Sequence, residues 1–186
     1  MAKYGGESVP SRVVDLSHYI DAQRKTVRSV TGEITLNYGD GWCKLDTPKA
    51  QGVTGVLKAV GDCVFTDVEI HSTNDYATVL VVAMDNKPLK ESGKILVQVG
   101  TTERPLGWKT KPTSIDGRAG EQVISFGHAP WIIVRADVEI TIANPTLKTA
   151  LVLDANGMSV NEKPLKSSAG RKMFKFPPDA LYVVLQ

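Results

Sequence analysis

The stretch TGEITLNYGDGWCKLDTPKAQGVTG, residues 31–55, carries the clearest structural signal in the chain. Two short runs in which apolar and polar residues alternate, 33–38 and 42–46, flank the turn Gly39-Asp40-Gly41. Such runs on either side of a glycine- and aspartate-rich turn are typical of a β-hairpin. We therefore predict a hairpin here, and strands as the main element of the fold.

Successive side chains of a strand point to opposite faces of the sheet, so the hairpin should have an apolar face and a polar face. The side chains predicted to face the core are Ile34, Leu36, Cys43 and Leu45. Those predicted to face outward are Trp42, Lys44 and Asp46.

The rest of the chain continues as short strand-like segments, about a dozen in all, with turn signals roughly every 8–12 residues. Residues 76–84 form the most continuous apolar run and are predicted to be a central strand buried on both faces. Residues 101–120 contain several Gly and Pro and are predicted to form a long loop. We predict an all-β antiparallel β-sandwich or jelly roll, with a flexible lead-in over residues 1–12 and a single domain over 13–186.

Composition argues against two classes of partner. The chain has 22 basic and 20 acidic residues, a net charge of +2, whereas nucleic-acid binders usually present a strongly basic face. It has no apolar run near the roughly 20 residues that span a bilayer. We expect neither a nucleic-acid nor a membrane partner.

Several segments resemble the β-sandwich domain found C-terminal to the catalytic barrel in secreted bacterial glycoside hydrolases. The similar segments are Thr31-Gly32-Glu33 with Ser29, Asn37-Tyr38-Gly39, DTPKAQG at 46–52, NDYA at 74–77, LKES at 89–92 with the 94–99 strand, and PDALY at 178–182. Together they run over most of the chain.

This resemblance implies an extracellular or periplasmic accessory domain attached to a glycoside hydrolase catalytic domain in the same polypeptide. The family is sometimes assigned to carbohydrate binding, which implies a plant cell-wall polysaccharide of glucan or xylan type as ligand. It supplies no catalytic residues and no cofactor.

Motifs of catalysis are missing from the sequence itself. There is no Gly-x-Ser-x-Gly elbow, and glycine spacing follows neither a phosphate-binding nor a dinucleotide-binding pattern. Glycosidases need two carboxylates at a set separation. Pairs such as Asp67 and Glu69 are better explained as a solvated strand face. We therefore expect a protein that is not an enzyme.

Aromatic residues are the better lead, because a flat aromatic ring can stack on the apolar face of a sugar while polar neighbours bind its hydroxyl groups. Trp42 would lie beside Lys44 and Asp46 on the outward face of the hairpin. Trp108 lies in the predicted long loop, and Trp131 alternates away from an apolar strand face over residues 132–142. These five residues are the candidate carbohydrate-binding residues, although each tryptophan could equally be covered by neighbouring structure. The alternative role is a purely structural module that packs against a catalytic domain and binds no sugar.

The sequence leaves metal and disulfide chemistry open. His18, His71 and His128 are far apart, which disfavours a transition-metal site, while a structural calcium ion held by aspartates and turn carbonyls is possible. Cys43 and Cys63 could form one disulfide in a secreted chain or remain two buried thiols.

Overall fold

The computed structural model describes residues 15–186, so the predicted lead-in over residues 1–12 lies outside the described residues. The first half contains a 3₁₀ turn Ser17–Tyr19, β1 Ile20–Asp21, β2 Thr26–Arg28, β3 Ile34–Asn37, β4 Trp42–Asp46, β5 Ala50–Gly55, α1 Leu57–Val60, β6 Cys63–Val64, β7 Val68–Ser72, β8 Ala77–Ala83 and β9 Ile95–Thr101. The second half contains β10 Glu103–Ile115, β11 Arg118–Ile133, β12 Val138–Ile142, β13 Thr149–Leu153, β14 Ser159–Pro164, β15 Lys166–Ser168, β16 Arg171–Lys175 and β17 Tyr182–Leu185.

These strands form two packed sheets and one projecting ribbon. The larger sheet has ten strands in the order β1-β2-β3-β4-β5-β8-β9-β17-β13-β14, and the smaller has five in the order β15-β16-β12-β7-β6. Every pairing is antiparallel. The predicted all-β antiparallel sandwich is therefore confirmed, and no closed barrel forms.

The core lies between the two sheets. Val79 and Val97 of the larger sheet and Val138 and Ile140 of the smaller one are fully buried. Each side chain of this size contributes roughly 1.5–3 kcal/mol when it leaves water completely. The centre of the sandwich is thus β8 and β9 packed over β7 and β12.

The predicted hairpin is confirmed, with β3 and β4 paired from Ile34–Leu45 to Asn37–Trp42. The prediction of which face is buried is wrong. Across the β4–β5 ladder Lys44 pairs with Val53, which is 1% exposed, so the set Trp42, Lys44 and Asp46 lies on the inner side of the sheet. Alternation separates the two faces of a strand, but only the partner strand decides which face meets the core.

The opposite, outward face of the larger sheet is apolar. It is termed the outer apolar face and consists of Val27, Ile34, Leu36, Leu45, Leu80, Val82, Leu96, Leu151, Leu153, Tyr182 and Val184. The outward face of the smaller sheet is polar and charged, with Glu69 and Arg171 in one ion pair and Lys175 paired to Asp137 at 2.9 Å. The two outer faces of the sandwich therefore differ sharply in polarity.

The predicted central strand is present as β8, but burial on both faces is wrong. Val79 and Val81 are fully buried, whereas Thr78, Leu80 and Val82, which belong to the outward side, are half-buried. The strand is apolar on both sides because one side lies in the core and the other belongs to the outer apolar face.

The predicted long loop over residues 101–120 is wrong, because these residues form most of a two-stranded ribbon. Strands β10 and β11 pair from Glu103–Ile133 to Ile115–Arg118, and the ribbon is termed the arm. Asp116 and Gly117 close it with φ of +51° and +77°, as a two-residue type I′ hairpin requires. No residue from 102 to 135 is buried, so the arm stands away from the core.

A continuous strand over 131–142 is also wrong. Strand β11 ends at Ile133, and β12 begins at Val138 in the smaller sheet. Ile132 and Val134 are 49% and 52% exposed, whereas Ile140 and Ile142 are buried. The connection between them carries the chain from the base of the arm into the smaller sheet.

Candidate functional site

The three tryptophans of the predicted sugar site lie in different places. Trp42 is half-buried on β4, Trp108 is half-buried on the arm, and Trp131 at the arm's base is 62% exposed. The predicted set of binding residues therefore does not form one surface. Each tryptophan has its own surroundings.

Trp42 contacts Lys44, a residue of its own strand. The Lys44 ammonium nitrogen lies 5.1 Å from the centre of the Trp42 ring and 5.8 Å from that of buried Phe65. Asp46 accepts hydrogen bonds from the Thr66 backbone N–H at 3.2 Å and from the Thr66 hydroxyl at 3.1 Å. The prediction that this triad faces outward is wrong, and its polar groups already have partners within the chain.

Trp108 is partnered on the arm. The Arg104 guanidinium lies 5.3 Å from its ring centre, and Phe126 on the paired strand meets it edge-on at 5.8 Å. Stacking of this kind stabilises a ribbon that has no core of its own. Trp108 thus has a clear structural role in the arm.

Trp131 alone stands beside a sizeable cavity, termed the end cavity. Three connections at one end of the sandwich form its wall: the base of the arm, the β13–β14 turn and the segment before β17. Its volume is about 360 Å³. The lining residues are Val99, Thr101, Trp131, Ile133, Val134, Arg135, Ala136, Leu153, Asp154, Ala155, Pro178, Asp179, Ala180 and Leu181.

Polar groups surround Trp131 in the end cavity. Arg135 Nε lies 3.1 Å from the Asp179 carboxylate, and both side chains are largely exposed. No described residue accepts a hydrogen bond from the terminal amino groups of Arg135. The Asp154 carboxylate accepts backbone hydrogen bonds from Asn156 and Met158, each at 2.9 Å, which hold the β13–β14 turn in place.

The end cavity combines an aromatic ring with hydrogen-bonding side chains. Trp131 offers a flat apolar surface, while Arg135 offers donors and Asp179 acceptors at the same end of the sandwich. Arg135 and Asp179 neutralise each other, so the cavity has no strong net charge from this pair. An aromatic platform with few polar groups is typical of a small-ligand site.

Sequence reasoning found Trp131 but missed the other members of the end cavity. Arg135, Asp154 and Asp179 are separated in sequence, and only the sandwich topology brings their connections together. One signal was available: Asp116-Gly117 between alternating residues is a hairpin turn, which would have placed Trp131 at the base of a ribbon.

Over residues 15–186, no group of three or more His, Cys, Asp and Glu side chains is arranged to hold a metal ion. Cys43 and Cys63 are both free thiols. Cys43 lies on the outward side of the larger sheet beside Leu36, whereas Cys63 is buried, and that burial raises the pKa of its thiol. Within the same range, no helix is both long and apolar enough to cross a membrane.

Comparison with known proteins gives no identification. No family model, no curated protein and no solved structure matches the chain.

Proposed function

We propose that the chain is a non-catalytic accessory module of a polysaccharide-degrading enzyme and that it binds polysaccharide at the end cavity. The observation that carries this proposal is Trp131, 62% exposed on the wall of a cavity of about 360 Å³. Small-ligand sites are typically concave, with aromatic side chains and a few polar groups on the wall, and Trp131 has such surroundings. The resemblance to accessory domains of secreted glycoside hydrolases supports the same role and an extracellular or periplasmic location.

The chemistry of the end cavity favours an uncharged sugar. Trp131 provides the stacking surface, Arg135 the donors, and Asp179 and Asp154 the carboxylate oxygens that bind hydroxyl groups. Arg135 and Asp179 are paired at 3.1 Å and compensate each other, while Asp154 adds one negative charge that disfavours an anionic sugar. Neutral plant cell-wall polymers of glucan or xylan type are the ligands that this arrangement favours.

The proposal is tested by affinity electrophoresis in native gels containing soluble β-glucan, xylan or mannan, together with depletion from solution by insoluble cellulose. We expect at least one polymer to retard or deplete the chain. A protein of similar mass without a sugar site serves as the mobility reference. Unchanged mobility in every gel, with no depletion by cellulose, would overturn the proposal.

A structural role is the second candidate, and the arm favours it. A two-stranded ribbon is marginally stable in water without further packing, yet no residue from 102 to 135 is buried. A catalytic domain in the same polypeptide would cover the arm. In that case residues of the arm resist protease in the full-length enzyme and are cut in the isolated chain, and no polysaccharide binds.

A further inference from the structure

The outer apolar face is an extended apolar surface on the side of the larger sheet that points away from the core. Apart from Val27 on β2, it spans seven adjacent strands, from β3 to β13. At about 4.8 Å between strands and about 7 Å between rows of residues on one face, its three rows cover on the order of 500 Å². An apolar patch of this size is at the upper end of what monomeric proteins expose and often has a function.

Three rows of paired residues cross this surface, and none of them holds a charge between β3 and β13. One row runs from Leu36 through Cys43 and Thr54 to Thr78. The second row runs from Ile34 through Leu45, Gly52, Leu80, Gln98 and Tyr182 to Leu153. The third row runs from Ala50 through Val82, Leu96 and Val184 to Leu151. The first charged residue met is Glu162 on edge strand β14.

We infer that this surface binds a second copy of the chain, so that two larger sheets pack face to face in a two-fold dimer. An isologous contact must be complementary to itself, and a surface without charge places no like charges opposite each other. Its footprint is smaller than the roughly 800 Å² per partner of a standard interface, so we expect a dimer that forms at high protein concentration. Sheets that pack face to face lie about 10 Å apart with interdigitating apolar side chains, which this surface supplies.

The exposed fractions of the residues on the outer apolar face are consistent with a dimer contact. Val184 is 5% exposed and the central Leu80, Val82 and Leu96 are half-buried, so the middle is flat and already packed laterally. Ile34 and Leu36 towards the rim are each 45% exposed. The rim residues therefore gain the most burial when a second sheet arrives, and they can be replaced without opening the core.

Sedimentation velocity of the complete chain across a wide concentration range tests the inference. The monomer has a mass of 20.1 kDa, and we expect a species of twice that mass at high concentration. Leu36→Glu should raise the dimer dissociation constant at least about 100-fold, because each substitution occurs twice in a two-fold interface. Val64→Lys, at a 66% exposed apolar position on the smaller sheet, is the matched control and should leave the constant unchanged.

Thiol labelling gives a second readout without any substitution. Cys43 lies in the surface and Cys63 is 2% exposed, so a maleimide reports on Cys43. Labelling should slow at concentrations where the dimer forms and should stay fast in the Leu36→Glu variant, whose fold is checked by circular dichroism.

Each other outcome overturns the inference. If the chain stays monomeric and Cys43 stays reactive, the outer apolar face is not covered by any partner. A monomer with Cys43 protected at every concentration has this surface covered by another segment of its own chain. A dimer that resists Leu36→Glu but dissociates with Val64→Lys uses the smaller sheet. These results are distinguishable from a failure of sugar binding, because the outer apolar face shares only Leu153 with the end cavity and neither substitution lies there.

Discussion

Lys44 pairs with Val53 across the β4–β5 ladder, and Val53 is 1% exposed. This single pairing places Lys44 on the inner side of the larger sheet, beneath which Phe65 is buried. The lysine lies near both the Trp42 and the Phe65 ring and so links β4 to the segment after β6. Lys44, which the sequence predicts to be a binding residue, therefore contributes to packing inside the sandwich.

Replacing Lys44 with methionine should keep the length of the side chain and remove its charge. The two ring contacts at 5.1 and 5.8 Å would then lose their cation–π component, worth about 0.5–1 kcal/mol at partly exposed sites. Urea unfolding should show a loss of this size. Lys87→Met, at an exposed turn position, is the control, and an equal loss there would remove the assigned role of Lys44.

Asn144 should be among the most costly polar residues to replace. Its side-chain amide is buried and donates to the Leu89 carbonyl at 2.7 Å and the Ser92 carbonyl at 2.8 Å. Asn144→Ala leaves both carbonyls without this donor, and each unsatisfied buried group costs about 1–3 kcal/mol. Equilibrium unfolding should show a clear loss, larger than for exposed Thr146→Ala; equal losses would contradict this reading.

The Asp137 carboxylate should contribute to stability only above acid pH. The hydrogen bond from the Thr73 hydroxyl, followed by the nearby Lys175 ammonium, lowers the pKa of Asp137 below its ordinary value of 3.8. The folded state then binds its proton less readily than the unfolded state, so the contribution is present above pH 3.8 and is lost as pH falls through the lower folded pKa.

The hydrogen bond to Asp137, together with its negative charge, raises the pKa of Lys175 above 10.5, so the contribution of Lys175 is present below pH 10.5 and is lost as pH rises through the higher folded pKa. Asp137→Asn should therefore flatten the fall in the urea midpoint at acid pH. The plot of urea midpoint against pH should keep its shape between neutral pH and about pH 10. An unchanged acid profile would contradict this assignment.

The arm should be removable without loss of the sandwich. Replacing residues 108–126 with Asn-Gly keeps the paired Leu106 and His128 and supplies a two-residue turn. Since no residue from 102 to 135 is buried, we expect the unfolding free energy to change by no more than about 1 kcal/mol. Loss of a cooperative calorimetric transition would instead show that the arm is needed for folding.

Local sequence patterns were sufficient to predict an all-β fold and the first hairpin. The alternation pattern also placed Ile34 and Leu36 correctly on one face of their strand. The side of the sheet that faces the core depends on pairing between β4 and β5, which alternation does not encode. The end cavity depends on longer-range topology still, because Trp131, Asp154 and Asp179 come from three separate connections. Sequence reasoning could name the exposed tryptophan but not its neighbours.

The central claim is that Trp131 binds polysaccharide, and affinity electrophoresis of Trp131→Ala tests it most directly. In a gel containing a polymer that retards the wild-type chain, this variant should bind at least about 10-fold more weakly, because Trp131 supplies the stacking surface. Trp42→Leu is the matched control, since Trp42 is engaged by Lys44 and lies outside the end cavity, and its retardation should stay close to that of wild type. If Trp131→Ala is retarded as strongly as wild type, the account of the end cavity as the sugar site is contradicted.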